Sequence, residues 1–171
     1  VHFALLSHEE PRSVLVIEAA TGGIFQKILM HPSVASVDSV ELDPALTRAM
    51  TRFARPHVVH GQDTRLHGVI ADARRFVATT TRRYDVVLLG IPAPSTLSSI
   101  RYFTLEFFDG LRRVVNPGGI IAFTLPGSEV AVGPDLRLLQ NTVFTTMRDA
   151  GWIPHIIPGE RTLVLAAAGT D

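Results

Sequence analysis

The chain has 171 residues, 46% of them hydrophobic and 19% charged, which fits one folded domain with its own core rather than a disordered chain. Sixteen basic residues cancel sixteen acidic ones, so no global field would recruit nucleic acid or an acidic membrane surface. The absence of cysteine excludes disulfides, thiolate catalysis and Cys-ligated zinc, and fits a reducing, cytoplasmic setting.

At the start, "VHFALLSHEEPRS" has no basic segment followed by an apolar stretch, so no signal peptide is expected. The chain opens on Val1, so a segment of something longer, even the soluble part of a membrane protein, is one expectation. "VLVI", Val14–Ile17, then reads as a buried parallel strand. Gly22 and Gly23 follow, and "IFQKILM" places Ile24, Ile28 and Leu29 near one helical face before His31-Pro32 stops the helix. Ser36–Val40 is the second strand. Asp43 and Pro44 suit the cap and first position of a helix over Ala45–Phe53, and Pro56–Asp63 reads as a loop.

Leu66–Ile70 is the third strand, and Asp72 can cap a helix running to about Val77. Tyr84–Leu89 is the fourth strand and the most apolar. A helix over Leu105–Val115 is closed by Asn116-Pro117-Gly118-Gly119, and Ile120–Phe123 follows as the fifth strand. Pro134–Ala150 is a long helix with Gly151 as its C-cap. Trp152–Ile157 and Thr162–Ala167 close the chain as a hairpin around "PGER". Alternating strands and helices predict a parallel sheet covered on both faces, with one antiparallel strand from the hairpin, in a single domain over residues 1–171. No apolar run approaches the ~18 residues that would cross a bilayer, so this segment is not expected to insert into a membrane.

Open α/β sheets bind ligands at the carboxyl ends of their strands. The first such end is "EAATGG", Glu18–Gly23, either a close-approach loop for a ligand or an ordinary tight turn. The second carries Glu41, about 20 residues beyond the glycine turn, where an acid can accept from both ribose hydroxyls or simply begin a helix. The third carries Asp72, a helix cap or an acceptor for an adenine amino group. Together they suit an adenine nucleoside lying across the sheet edge. The fourth end opens into "GIPAPSTL", which offers only Ser95 and Thr96 as polar side chains. Ser95 lacks a G-x-S-x-G setting and a visible His/Asp arrangement, so it is not read as a hydrolase nucleophile. His57 and His60 read as a surface pair rather than metal ligands, and no metal is expected. Tyr102, Phe103, Phe107 and Phe108 read as core, with Tyr102 open to a role at the ligand. Arg74, Arg75, Arg82 and Arg83 read as a solvated helix face.

These stretches resemble the spermidine synthase family, aminopropyltransferases with a Rossmann-like, class I methyltransferase-like doubly wound fold. "EEPRSVLVIEAATGG" resembles the family's entry strand and GGGDGG turn. "HPSVASVDSVELDP" resembles the strand with the ribose-binding acid, and "ADARRF" the acid-bearing turn beside adenine. "YDVVLLGIPAPSTLSSIRYFTLEFFDGLRRVVNPGG" resembles the catalytic strand, gate loop and following helix, and its "PST" and "RYFT" parts look closest to bacterial spermidine-synthase-like domains.

The resemblance implies a bound S-adenosylmethionine, decarboxylated S-adenosylmethionine or methylthioadenosine. It assigns the nucleoside side to Glu18, Ala20, Thr21, Gly22, Gly23, Glu41, Leu42, Asp72 and Ala73, and the substrate side to Gly90, Ala93, Ser95, Thr96 and Tyr102. It also implies a homodimer as one arrangement, and a family N-terminal β-domain that this chain is expected to lack. The departures are chemical. Glu18, Ala19 and Ala20 stand where the family has glycines, and Thr21 where it has aspartate. Gly90 and Ala93 stand where it has the two aspartates of a D-x-x-D arrangement. A free alkyl amine has a pKa of about 10 and needs an adjacent carboxylate to hold it and accept its proton. The resemblance and its departures therefore imply weak or absent aminopropyl transfer and no catalytic residue. An S-adenosylmethionine-dependent methyltransferase with an unknown acceptor, or a non-catalytic interaction module of a larger protein, are the alternatives. A nicotinamide site is disfavoured, because G-x-G-x-x-G is missing.

Overall fold

The computed structural model describes residues 1–19, 23–46, 48 and 63–169. Among these the strands are β1 (Ser13–Ile17), β2 (Ser36–Glu41), β3 (Leu66–Ile70), β4 (Tyr84–Leu89), β5 (Val115–Pro126), β6 (Trp152–Ile157) and β7 (Arg161–Ala168). The helices are α1 (His2–Leu6), α2 (Ile24–Leu29), α3 (Ala73–Thr79), α4 (Leu97–Ile100), α5 (Leu105–Val114) and α6 (Pro134–Asp149). The strands form one seven-stranded sheet in the order β3-β2-β1-β4-β5-β7-β6. Pairings from β3 through β5 are parallel, and β7 runs antiparallel to both β5 and β6. This is the mostly parallel, doubly wound α/β sheet with a closing hairpin that the alternation predicts.

Burial on both faces explains the unbroken apolar runs of β1 and β4. Successive side chains point to opposite faces. Leu15, Ile17, Val87 and Leu89 accordingly join the larger core with Phe108, Leu111 and Met147 from α5 and α6. Val14, Val16, Val86 and Leu88 join a second core with Leu5 of α1 and Phe25 and Ile28 of α2. At the end of α6, Gly151 takes φ +77, the left-handed conformation that ends many helices and that glycine adopts without steric cost.

Several boundaries differ from those the sequence suggests. α1 and α4 are additional helices, too short to show a helical period. β5 begins at Val115 rather than Ile120: Tyr84 pairs with Val115 and Val86 with Ile120, and the irregularity between them absorbs Asn116–Gly119. Asp85 organises that corner. Its carboxylate accepts from Asn116 Nδ2 at 2.7 Å, from Arg12 N at 2.8 Å and from Ser13 N at 2.9 Å. Asp43 accepts from Ala45 N at 2.7 Å, as a cap should, while most of the helix expected over Ala45–Phe53 lies outside the described residues.

The arginine cluster needs correcting as well. Arg82 and Arg83 lie beyond the end of α3, and Arg82 is committed to the buried Asp38. Its Nη1 meets both carboxylate oxygens at 2.8 Å, and Tyr84 OH donates to the same group at 2.6 Å. Burial, then the neighbouring carboxylate, push the Tyr84 phenol pKa upward. Arg82→Met is expected to destabilise the fold by about 2–3 kcal/mol, because it leaves a buried carboxylate without its cation while Tyr84 still donates. Urea unfolding would read this as a lower midpoint at unchanged slope.

Candidate functional site

The carboxyl ends of β1, β2 and β4 converge on one edge of the sheet. Glu18 leaves β1 there, its N–H bonded to Val40 O at 3.0 Å, and Gly90 leaves β4, its N–H bonded to Ile17 O at 2.8 Å. A cavity of about 260 Å³ opens at this edge. Its walls are Glu18, Leu42, Ile91 and Pro92, then Ser95, Thr96, Ser98 and Ser99 of the loop entering α4, and Tyr102. Thr96 caps α4 through Ser99 N, and Ser99 Oγ donates to Ala93 O at 2.8 Å, so the loop is braced from within. Tyr102 is buried and packs edge-on against Phe107, as expected of core, and it also lines the cavity.

Glu41, at the last position of β2, is 2% exposed. Leu42 beside it is half exposed. Asp72 caps α3, its Oδ1 accepting from Arg74 N at 2.9 Å and Arg75 N at 3.2 Å. Ala73 is fully buried behind it. Gly23 caps α2, whereas Ala20, Thr21 and Gly22 lie outside the described residues, as do His57 and His60. Among the described residues no group of three His, Asp or Glu side chains could hold a metal, and no helix is long and apolar enough to cross a membrane.

Sequence reasoning missed Arg101. Its Nη2 pairs with Asp72 Oδ2, its guanidinium lies 5.0 Å from the centre of the Tyr102 ring, and its carbonyl accepts from Arg74 Nη1 at 2.8 Å. A charge inside the otherwise apolar and hydroxyl-bearing "SSIRYF" is the signal that could have found it. Burial pushes the Asp72 pKa up, but Arg101 and the α3 N–H groups outweigh it and hold the carboxyl below the usual range. Asp72 is therefore ionised and both its oxygens are engaged. A ligand amino group would share Oδ2 with Arg101 or displace it.

Glu18 behaves differently. Its φ is +52, a left-handed conformation that costs a residue with a Cβ about 1–2 kcal/mol. Leu42 N–H holds its carboxylate, while Oε1 is buried and has no hydrogen-bond partner among the described residues. Burial raises its pKa, Asp72 and Asp43 add to the rise, and Leu42 N–H and Arg101 oppose it.

The other end of the sheet edge is neutral. Gly90 lines a separate cavity of about 150 Å³ with Val1, Ile24, Leu88, Leu89, Ala122, Phe123, Thr124 and Leu163. None of the described residues lining it is a carboxylate. A Cβ built on Gly90 would overlap the Ala19 side chain and lie 2.5 Å from Glu18 O and 2.6 Å from Ala19 Cα. The site thus has an acidic, hydroxyl-lined half and an apolar half.

A family model described as the spermine/spermidine synthase domain matches residues 1–127. The polyamine aminopropyltransferase of Methanocaldococcus jannaschii is 30% identical over 160 residues, 92% of this chain and 53% of that protein. That of Korarchaeum cryptofilum is 34% identical over 132 residues, 76% of this chain and 40% of that protein. This chain thus spans about half the length of the curated relatives it matches. Among solved structures, a spermidine synthase in complex with the transition state analogue AdoDATO superposes with a TM-score of 0.81 at 19% identity, over 100% of this chain and 59% of that one. Human methyltransferase-like protein 13 in complex with SAH gives 0.74 at 19% identity, over 98% of this chain and 76% of that one. At that identity the superpositions speak for a Rossmann-like, methyltransferase-type fold, and the family model with the aminopropyltransferase relatives speaks for descent: the chain belongs to the spermine/spermidine synthase family.

Proposed function

We propose that this domain binds an adenine nucleoside of the S-adenosylmethionine type, taken as S-adenosylmethionine, its decarboxylated form or methylthioadenosine, and is weak or inactive in aminopropyl transfer. The observation that carries the reading is the cavity walled by Glu18, Leu42 and Tyr102 at the strand ends where Glu41 and Asp72 lie. Glu41 would accept from the ribose hydroxyls, Leu42 and Ile91 would face the adenine, and Asp72 with Ala73 would meet its amino edge. Gly23, with Ala20, Thr21 and Gly22, would bring backbone close to the remainder. Of the three nucleosides, the two sulfonium forms would supply an electrophilic carbon when bound, and methylthioadenosine would not.

On this reading none of the residues assigned to the acceptor side, Gly90, Ala93, Ser95, Thr96 and Tyr102, would serve as a proton acceptor. Gly90 and Ala93 carry no carboxylate, and Ser95, Thr96 and Tyr102 stay protonated near neutral pH, the Tyr102 phenol being pushed higher chiefly by burial. Loss of a general base alone lowers a rate by about 10²–10⁴.

Calorimetry with the three nucleosides tests the reading, and no heat from any of them at millimolar concentration would sink it. Glu41→Gln is expected to weaken nucleoside binding about a hundredfold, because two charge-assisted hydrogen bonds become neutral or are lost. The apolar cavity beside Gly90 supports a second reading, methyl transfer to an unknown acceptor, since that chemistry can rest on positioning alone. Product analysis separates the two. Methylthioadenosine would mark aminopropyl transfer, S-adenosylhomocysteine would mark methyl transfer, and binding without either product would mark a non-catalytic module.

A further inference from the structure

Glu18 has no local reason to be a glutamate. Its backbone conformation favours glycine, its side chain lines a cavity, and one carboxylate oxygen is buried without a partner among the described residues. Non-glycine residues held in such conformations cluster at functional sites. The charged groups facing it are Asp72, Asp43 and Arg101, with Tyr102 and Leu42 N–H. Asp72 is paired with Arg101 and Asp43 caps the turn at Ala45, so of these carboxylates Glu18 keeps an oxygen for a ligand, as Glu41 does deeper at the end of β2. Position also matters. β1 and β4 pair with Ile17 beside Leu89, so the next residues, Glu18 and Gly90, leave the sheet side by side. The acid missing at the end of β4 is present one strand over, at the end of β1.

We propose that Glu18 binds a positively charged centre of the ligand, a sulfonium or ammonium, and so makes the site prefer a cationic nucleoside over its neutral thioether counterpart. The inference rests on the nucleoside reading above and adds the source of its charge selectivity. Electrostatic complementarity acts chiefly on such discrimination. An ammonium would donate to Oε1 and either cation would offset the burial of the carboxylate by its charge, while the neutral thioether does neither.

The test compares affinities for decarboxylated S-adenosylmethionine and methylthioadenosine in the unaltered chain, in Glu18→Gln and in Glu18→Gly. The preference for the cationic ligand is expected to fall about tenfold in both variants. Glu18→Gly relieves the strained φ and is expected to melt no lower than the unaltered chain, so unfolding cannot imitate the result. In the unaltered chain the preference should shrink as pH falls and Glu18 protonates, while in Glu18→Gln it should stay flat. An affinity ratio equal in all three proteins, or a gain for both ligands in the variants, would overturn this inference and leave the nucleoside reading standing. Failure of either ligand to bind the unaltered chain would overturn that reading and this inference with it.

Discussion

Trp152→Ala is expected to lower the unfolding free energy by about 3–5 kcal/mol. Trp152 is 1% exposed and is the largest fully buried side chain among the described residues. It opens β6, an edge strand in which no other residue is buried, so it is the side chain that fastens this strand to the core. Its indole N–H donates to Phe108 O at 2.9 Å, tying the hairpin to α5. Alanine removes the ring and leaves a cavity in the core that holds Phe108 and Met147, and it removes the indole hydrogen bond to α5. Trp152→Phe keeps much of the apolar volume and loses the hydrogen bond, so a smaller loss of about 1–3 kcal/mol is expected. For a domain of this size the alanine variant should melt roughly 10 °C lower. Thermal unfolding followed by circular dichroism measures both. Equal melting points for the alanine variant and the unaltered chain would show that β6 carries no share of the fold's stability.

The sequence exposes some features of this molecule and hides others for physical reasons. Val14–Ile17 and Tyr84–Leu89 are legible as central strands because burial on both faces demands uninterrupted apolar residues. Glu41 and Asp72 are legible because a strand end followed by a helix start confines an acid to one edge of the sheet. α4 is hidden, since four residues span barely a turn, although its Thr96 and Ser99 form a capping box. The start of β5 is hidden because Asn116-Pro117-Gly118-Gly119 has turn chemistry, and only Asp85 on the neighbouring strand explains why it lies against the sheet. Arg101 is hidden for a similar reason. Its partner Asp72 is 29 residues away, and an ion pair at that separation leaves no local pattern. Whether Ala20, Thr21 and Gly22 meet a ligand, and whether His57 and His60 form a surface pair, concerns positions outside the described residues.

Gly90→Asp is expected to damage the fold by more than about 3 kcal/mol and to yield no aminopropyl transfer, even though it returns a carboxylate to the end of β4. The reason is the approach of two backbones. Gly90 N–H donates to Ile17 O at 2.8 Å, which draws the chain after β4 against the chain after β1. A Cβ at position 90 would then overlap Ala19 and sit 2.5 Å from Glu18 O. Backbone cannot rotate out of the way as a side-chain end can, so β1 and β4 would have to part at the point where they form the edge of the site. Ala19→Gly removes one of the three clashes and leaves Glu18 O and Ala19 Cα in place. The double variant Ala19→Gly/Gly90→Asp should therefore recover part of the lost stability, and the two substitutions should be non-additive by about 1 kcal/mol or more. Urea unfolding of the two single variants and the double variant measures this coupling. Additive effects would mean that positions 19 and 90 do not constrain one another. Coupling of the expected sign would mean that the alanine at 19 and the missing acid at 90 are one structural choice, in which the tightened strand crossing excludes an acid at 90 and leaves Glu18 as the carboxylate at the junction.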